Sequence, residues 1–400
     1  MYVSSTRSAV DLVLDPDRLS GLVEAPVRAA RLRIKPGVSV TASLLDTGTG
    51  GSAGWARLLW PVSRNKAAKA ARRAERLGLR IAQHDTGDGL LLQTGEVAAD
   101  PTLVGHIAAA RDGGLLEDLE GNLLRYNPLR RLVARTPRGV VRVTSASQDR
   151  GDALQDFIGR YLPVPPPPPD LGETVSRHVT IQRFVGDTDL NRHHDPAATF
   201  RVGAALAALH AATADLPDSL RRDLGDGDPT AENLALVHTR ILSHLDPTLA
   251  ARVHALGEAM PQRPQGQPVL IHGDASPDQV LLERSTGQIW VTDFDRARLA
   301  PAAVDLGSYL AVADAEAGRA LLGGYADAGG VMPAAAELNS AVARALLSRL
   351  QEPLRSGDPH WRRRIAVEID RIEVLLNAPT RRGERGAGGR FGRLHSREAS

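Results

Sequence analysis

Apolar and polar positions in the first half of the chain follow a strand–turn–strand–helix pattern that occurs twice. In the first copy, Arg33-Ile34-Lys35-Pro36 opens a strand through VSVTASLLD. A Gly/Ser/Thr turn, a strand over 55–60 and a helix over 65–77 follow. In the second, Arg125-Tyr126-Asn127-Pro128 opens a strand through RRLVART, Pro137-Arg138-Gly139 turns, and Val140-Val141-Arg142-Val143 leads to a helix over 149–161. A strand over 177–184 comes next, after a proline run at 163–169 that reads as a stiff connection inside the fold rather than a free linker. The glycine-rich stretch 48–54 lacks the GK[ST] ending of a phosphate loop and opens a strand, so it reads as a hairpin tip.

The second half is patterned as helix. Residues 199–212 carry apolar side chains on more than one face, as a buried helix does. Further helices are expected over 305–325, 334–354 and 361–376, with a corner between Pro353 and Trp361. One β-hairpin interrupts this series: Val280-Leu281-Leu282 and Ile289-Trp290-Val291 flank the turn signal Ser285-Thr286-Gly287. Its outer ends bring Asp274, Gln279 and Asp293 to one place. Two carboxylates and an amide oxygen suit a hard cation and a hydroxyl that must lose its proton.

His272-Gly273-Asp274, Gln279, Leu281 and Asp293-Phe294-Asp295 stand at the spacing of a known catalytic segment. It resembles the aminoglycoside phosphotransferase family of the protein-kinase-like fold. Gln279 stands where asparagine is usual, as in maltokinase-like members. The resemblance implies an α+β, bilobal fold with a β-rich N-lobe, a mostly helical C-lobe and an additional N-terminal unit. Four segments are then expected: a companion unit over 1–115, the N-lobe and hinge over 116–186, the C-lobe with its catalytic loop over 187–379, and a disordered Arg/Gly-rich tail over 380–400.

The same resemblance distributes roles. Asp274 is implied as the catalytic residue that orients or deprotonates the acceptor hydroxyl. Gln279 and Asp293, with Asp295 in support, are implied as holding Mg2+ against the triphosphate of ATP. His272 and Asp305 are implied as structural support for the catalytic loop, with His210, of Leu209-His210-Ala211, packed beneath it. Ser276 and Asp278 are expected to be solvated. In the N-lobe, Arg142 takes the position where the family has a lysine for the α/β-phosphates. Its helix partner is left open between Asp152 and Asp156. No lysine follows Lys69, which leaves three readings: Arg142 acts there, the first copy supplies the cation, or the protein is a weak or inactive kinase.

Composition narrows the field. There is no cysteine, hence no disulfide framework or thiolate site, which fits a cytoplasmic protein. A net charge of +2 gives no steering toward nucleic acid or membrane. The expected activity is an ATP-dependent transfer of the γ-phosphate to a hydroxyl of a small molecule: an aminoglycoside-like compound, a sugar or an amino alcohol. Acids on the last helix, Glu368, Asp370 and Glu373, either face a cationic substrate or balance the arginines around them. The alternative is a weak or inactive kinase-like nucleotide-binding regulator, motivated by Arg142 and Gln279. His193-His194-Asp195 precedes a helix for which Asp195 and Thr199 are both cap candidates, and reads that way rather than as a metal cluster.

Overall fold

The computed structural model describes residues 5–117, 119, 121–147, 151–168, 176–224 and 227–377; the tail expected over 380–400 and the side chain of Asp152 lie outside them. The chain forms two compact units. The first takes in 1–185, 229–263 and 346–372, the second 186–228, 264–345 and 373–400. Among the described residues no helix is long and apolar enough to cross a membrane. The class is α+β, as the sequence implies.

In the first unit, β1 (Val27–Lys35), β2 (Ser39–Asp46), β3 (Ser52–Leu59), β4 (Ile81–Asp85) and β5 (Leu91–Gly95) form an antiparallel sheet in the order β1-β2-β3-β5-β4. A second antiparallel sheet holds β6 (Leu123–Asn127), β7 (Arg131–Thr136), β8 (Gly139–Thr144) and β9 (Val179–Gln182) in sequence order. A strand does not begin at Arg33 as expected: β1 ends at Lys35. Pro36 has no N–H to donate, Gly37 sits at φ 65°, and Val38 N–H bonds back to the Lys35 carbonyl at 3.0 Å, so Pro36-Gly37 is the turn.

The two copies seen in the sequence are two versions of one sheet. Each runs through three strands into a helix, Arg64–Glu75 in the first and Gly151–Ile158 in the second, and then returns a strand against the third. Gly54 and Gly139 occupy matching places. Both have positive φ (101° and 140°), and a Cβ on either would run into a carbonyl oxygen of the returning strand, that of Gly95 or of Gln182. The strands also match in register. Arg33, Thr41, Arg57 and Gln93 form a row across the first sheet, and Arg125, Val133, Arg142 and Thr180 form the corresponding row across the second.

A single core joins the sheets. Trp55, Ala70, Ala74 and Leu103 from the first segment pack in one buried cluster with Tyr126, Leu132, Val141, Val143 and Ile181 from the second. The proline run belongs to this unit as well: the Pro165 and Pro166 carbonyls accept from Gln155 Nε2 (2.9 Å) and Arg183 N–H (2.8 Å). On the last helix, Trp361–Asn377, Asp370 pairs with Arg252 at 2.7 Å and Glu368 with Arg371 at 3.0 Å, so both acids balance neighbouring arginines.

The second unit centres on the helix Pro196–Ala211, capped as expected by Asp195, whose carboxylate accepts the Ala198 N–H at 2.8 Å. It packs along the helix Ala315–Asp327. Gly203 and Gly324 permit the approach, since a Cβ on either would meet backbone of the other helix. The single helix expected over 305–325 is two, Ala303–Leu310 and Ala315–Asp327. Asp314 breaks the run by capping the second through the Ala317 N–H at 2.8 Å. The helix expected over 334–354 likewise divides into Ala335–Arg349 and Glu352–Arg355. The strands of this unit are β10 (Thr188–Asp189), β11 (Pro268–Ile271), β12 (Val280–Glu283), β13 (Gln288–Val291) and β14 (Arg298–Pro301), arranged as β10-β12-β13 and β11-β14.

Because Trp55 is fully buried in the core common to both sheets and its indole N–H is held by the Glu96 carbonyl at 3.0 Å, Trp55→Ala is expected to cost about 3–5 kcal/mol. Urea titration followed by circular dichroism would show the loss as one transition. Separate transitions for the two sheets would contradict the common core.

Candidate functional site

The predicted hairpin is β12–β13, with Val280 opposite Val291 and Glu283 opposite Gln288. Just beyond its outer end, Thr292 donates both its N–H (2.9 Å) and its hydroxyl (3.0 Å) to the Gln279 carbonyl. This double bond pattern ties the residue before β12 to the residue before Asp293. Asp293 itself sits in the left-handed region at φ 65°, ψ 58°. A non-glycine residue there costs on the order of 1–2 kcal/mol, least for aspartate and asparagine. The strained turn redirects the chain out of β13 and leaves the Asp293 side chain half-buried, with Asp295 exposed on the short 3-10 turn that follows.

On the other side of the hairpin, residues 272–274 form the loop after β11. Their geometry depends on Asp305, which is fully buried on the helix Ala303–Leu310. Its carboxylate accepts the backbone N–H of His272 at 2.7 Å, that of Gly273 at 2.8 Å, and His210 Nε2 at 3.2 Å. Tyr325 lies at 2.9 Å from His210 Nδ1 and completes the line. Burial pushes the Asp305 carboxyl up, but the hydrogen bond from His210, the His210 and His272 imidazoles and the Gly273 N–H bring it below its ordinary value. Burial, then the Asp305 charge, push the Tyr325 phenol up to about 12.

His272 is fully buried and acts through both ring nitrogens. Nε2–H donates to the Thr292 carbonyl at 2.8 Å, which makes Nδ1 the acceptor for the Asp274 N–H at 3.3 Å. Its ring also lies against Phe294, centroids 4.7 Å apart. His272 thus links the Asp274 loop to the Thr292-Asp293 turn. Gly273 is required between them: at φ 81° a Cβ would run into the Arg296 carbonyl and the Arg298 guanidinium.

The Asp274 carboxylate is 31% exposed and pairs with Arg296 Nη1 at 3.3 Å. Arg298 holds the same stretch from below, donating to the Arg296 carbonyl at 2.9 Å and the Gly273 carbonyl at 3.4 Å while both its Nε (2.8 Å) and Nη2 reach Asp228. Arg344, also buried, stands within the field of Asp228 and Arg298; burial lowers its guanidinium below the usual value. Arg298, Asp228, Arg344 and Tyr325 escaped the sequence reading, because nothing in their local sequence marks them and their partners lie tens of residues away. Ser276, expected in solvent, is buried: its hydroxyl turns onto the Asp278 carboxylate at 2.6 Å, and only Asp278 is exposed.

Buried Gln279 directs its Nε2 to Asp278 at 3.2 Å. Its Oε1 has no hydrogen-bond donor among the described residues and is the atom available to a cation. Asp293, tied to the same end of the hairpin through Thr292, carries a second oxygen-donor side chain of the kind Mg2+ takes. No cluster of three or more His, Asp or Glu side chains placed to hold a metal occurs among the described residues. Arg142 belongs to the first unit. It is half-buried on β8 between Val133 of β7 and Thr180 of β9, and Asp156 on the following helix is exposed.

Residues 122–338, more than half of the chain, match the APH family, the phosphotransferase enzyme family. No curated protein matches the chain. Among solved structures, it is similar to the GDP complex of aminoglycoside 2'-phosphotransferase-IIIa (17% identity, 68% of this chain and 98% of that one, TM-score 0.47). A choline/ethanolamine kinase family protein from Mesorhizobium loti is similar at 17% identity, over 69% and 95% of the two chains, with a TM-score of 0.43. Macrolide 2'-phosphotransferase MphH from Brachybacterium faecium is similar at 19% identity, over 70% and 100%, with a TM-score of 0.39.

Asp305→Ala leaves the His272 and Gly273 N–H groups and His210 Nε2 without their buried acceptor, and is expected to cost about 3–5 kcal/mol. The wild type carries a pH signature of the same interaction. Its folded Asp305 lies below an unfolded value of about 3.9. The contribution is therefore complete above about pH 4 and lost as pH falls through the folded value. Chemical denaturation of wild type and Asp305→Ala between pH 7 and pH 3 checks both: the difference in stability should shrink only at the acid end. A difference that is small at pH 7, or that grows with acid, would contradict the bracing role.

Proposed function

Because the chain belongs to the phosphotransferase enzyme family, we propose that it transfers the γ-phosphate of ATP to a hydroxyl of a small molecule, with Asp274 at the acceptor and Gln279 and Asp293 at the metal. The observation that carries this is the double tether: His272 joins the Asp274 loop to the Thr292 carbonyl, and Thr292 joins Gln279 to the turn bearing Asp293. Both acids are thereby held by partly buried hydrogen bonds rather than left as independent loop residues.

In this proposal Asp274 orients the acceptor hydroxyl and takes its proton as the oxygen attacks phosphorus. Arg296 keeps the carboxylate in place beforehand. Mg2+, held by Gln279 Oε1 and Asp293 with Asp295 in support, would supply charge neutralisation on the phosphates. Asp305, His272, His210 and Arg298 position the loop without touching the reacting atoms. Arg142 is proposed as the contact for nucleotide phosphate on β8, the guanidinium replacing an ammonium. The acceptor class, an aminoglycoside-like compound, a sugar or an amino alcohol, follows only from what the family's members act on. We also propose segment boundaries at residues 115 and 186 and a cytoplasmic location; the boundary at 379 lies outside the described residues.

Asp274→Ala is expected to lower phosphate transfer by ~10²–10⁴ while nucleotide affinity is retained. Asp293→Ala should weaken binding of nucleotide with magnesium instead. A γ-phosphate transfer screen across hydroxyl compounds, with calorimetric titration of the nucleotide, separates the two effects. Transfer unchanged in both variants would overturn the assignment. Nucleotide binding with no turnover in the wild type would favour a regulatory binding protein.

A further inference from the structure

All three of the chain's lysines lie in the first copy of the duplicated plan, and two of them, Lys35 and Lys66, stand beside a concentration of arginine. Arg33 and Lys35, two residues apart on β1, share a face with Thr41 on β2 and Arg57 on β3. Lys66, on the helix Arg64–Glu75, and Arg130, at the β6–β7 turn, act on the same spot. Repulsion from Arg33, then burial, then Arg57, Lys66 and Arg130 lower the Lys35 ammonium. Burial, then Arg130, lower Arg33; burial and Arg33 lower Arg57. Like charges held together in this way weaken the fold unless something negative offsets them.

Among the described residues this offset is only partial. Asp100 is the carboxylate acting on Arg33 and Arg57, but it is fully buried and already accepts four hydrogen bonds. They come from the N–H groups of Thr102 (2.8 Å), Leu103 (2.9 Å) and Leu129 (2.8 Å) and from the Tyr126 hydroxyl (2.7 Å). None of the five cations makes an ion pair among the described residues. In the row that crosses the sheet, Thr41 Oγ1, Arg57 Nε and Gln93 Oε1 are buried and have no hydrogen-bond partner, with Thr41 and Gln93 at 1% and 0% exposure. Three such atoms in a single register row are not the scatter of a loosely packed core; buried polar groups are normally satisfied. Lys35, Lys66 and Arg130 are exposed, and Arg33 and Arg57 are half-buried beside them, so the cluster opens to solvent.

Arg57 also holds a defined place in the duplication. It lies three residues after Gly54 and opposite Thr41 and Gln93, as Arg142 lies three residues after Gly139 and opposite Val133 and Thr180. We propose that the first sheet carries a second anion site, in which Arg57, Arg33 and Lys35, with Thr41 beneath and Arg130 above, bind the phosphate groups of a phosphate-bearing small molecule. Arginine forks and an ammonium are the donors that match phosphate oxygens. Apart from Arg130, the site lies outside residues 122–338, and the proposal stands on the first unit alone, independently of phosphate transfer.

The test is calorimetric titration of the full chain with inorganic tripolyphosphate in EDTA, which removes any divalent cation. Wild type should bind, with affinity falling as salt rises. Arg57→Gln and Arg33→Gln should each weaken binding about tenfold or more, and Arg319→Gln, an exposed arginine of the second unit, should not change it. Without ligand, both site variants should melt no lower than wild type, because repulsion is relieved. Competition identifies the source: displacement by ATP points to a nucleotide's phosphate chain, and displacement by a sugar monophosphate but not ATP points to a phosphorylated small molecule. No binding by wild type, or equal binding by Arg57→Gln and Arg33→Gln, would overturn the proposal.

Discussion

One buried carboxylate organises the second unit. Asp305 would be costly in the core without partners, and it has three: two consecutive backbone N–H groups and a histidine. The donors come from the loop after β11 and from the helix Pro196–Ala211, so the acid fixes loop against helix. A charge-assisted bond to a backbone N–H is stronger than a neutral one, and two in succession define both position and direction of the 272–273 peptide. His272 then carries that precision sideways to Thr292, and Thr292 carries it to Gln279. Asp274 and Asp293 inherit their places from this chain of hydrogen bonds.

The backbone has adapted to the same constraint. Gly273 must be glycine because carbonyl and guanidinium groups crowd the space of a side chain. Asp293 adopts a left-handed conformation that few residues accept. Arg298 gathers the carbonyls of residues 273 and 296 and is itself neutralised by Asp228. Strain and buried charge are concentrated within a few residues of the acids proposed to act on phosphate, where preorganisation has the most effect on chemistry. The first unit shows a different economy. One sheet plan is used twice, with a basic residue at the same register position in each copy, Arg57 and Arg142, and a common core between the copies.

What could be read from the sequence was short-range or motif-based. The β12–β13 hairpin followed from two apolar runs and a turn signal. The Asp195 cap followed from its place before a helical pattern, and the roles proposed for Asp274, Gln279 and Asp293 from motif spacing. The duplicated plan was also visible, although Arg33-Ile34-Lys35 proved to close a strand rather than open one. Neither β1, whose Arg-rich alternation hides its strand character, nor β4 and β5 stood out. The break at Asp314 was missed because the apolar pattern continues across it and only the cap hydrogen bond marks the boundary. Ser276 was misplaced because its burial depends on a turn back to Asp278. Arg298, Asp228, Arg344 and the Arg33–Arg57 row depend on tertiary neighbours that no local window contains.

The organising role of Asp305 can be measured at the two N–H groups it holds. Amide hydrogen exchange, resolved by residue in nuclear magnetic resonance spectra of the wild type, should show His272 and Gly273 among the slowest-exchanging loop amides. In Asp305→Asn, where a side-chain NH2 replaces one acceptor oxygen, at least one of the two should exchange faster by orders of magnitude while the amides of the helix Pro196–Ala211 stay protected. Rapid exchange at both residues in the wild type, or protection unchanged in the variant, would contradict the account.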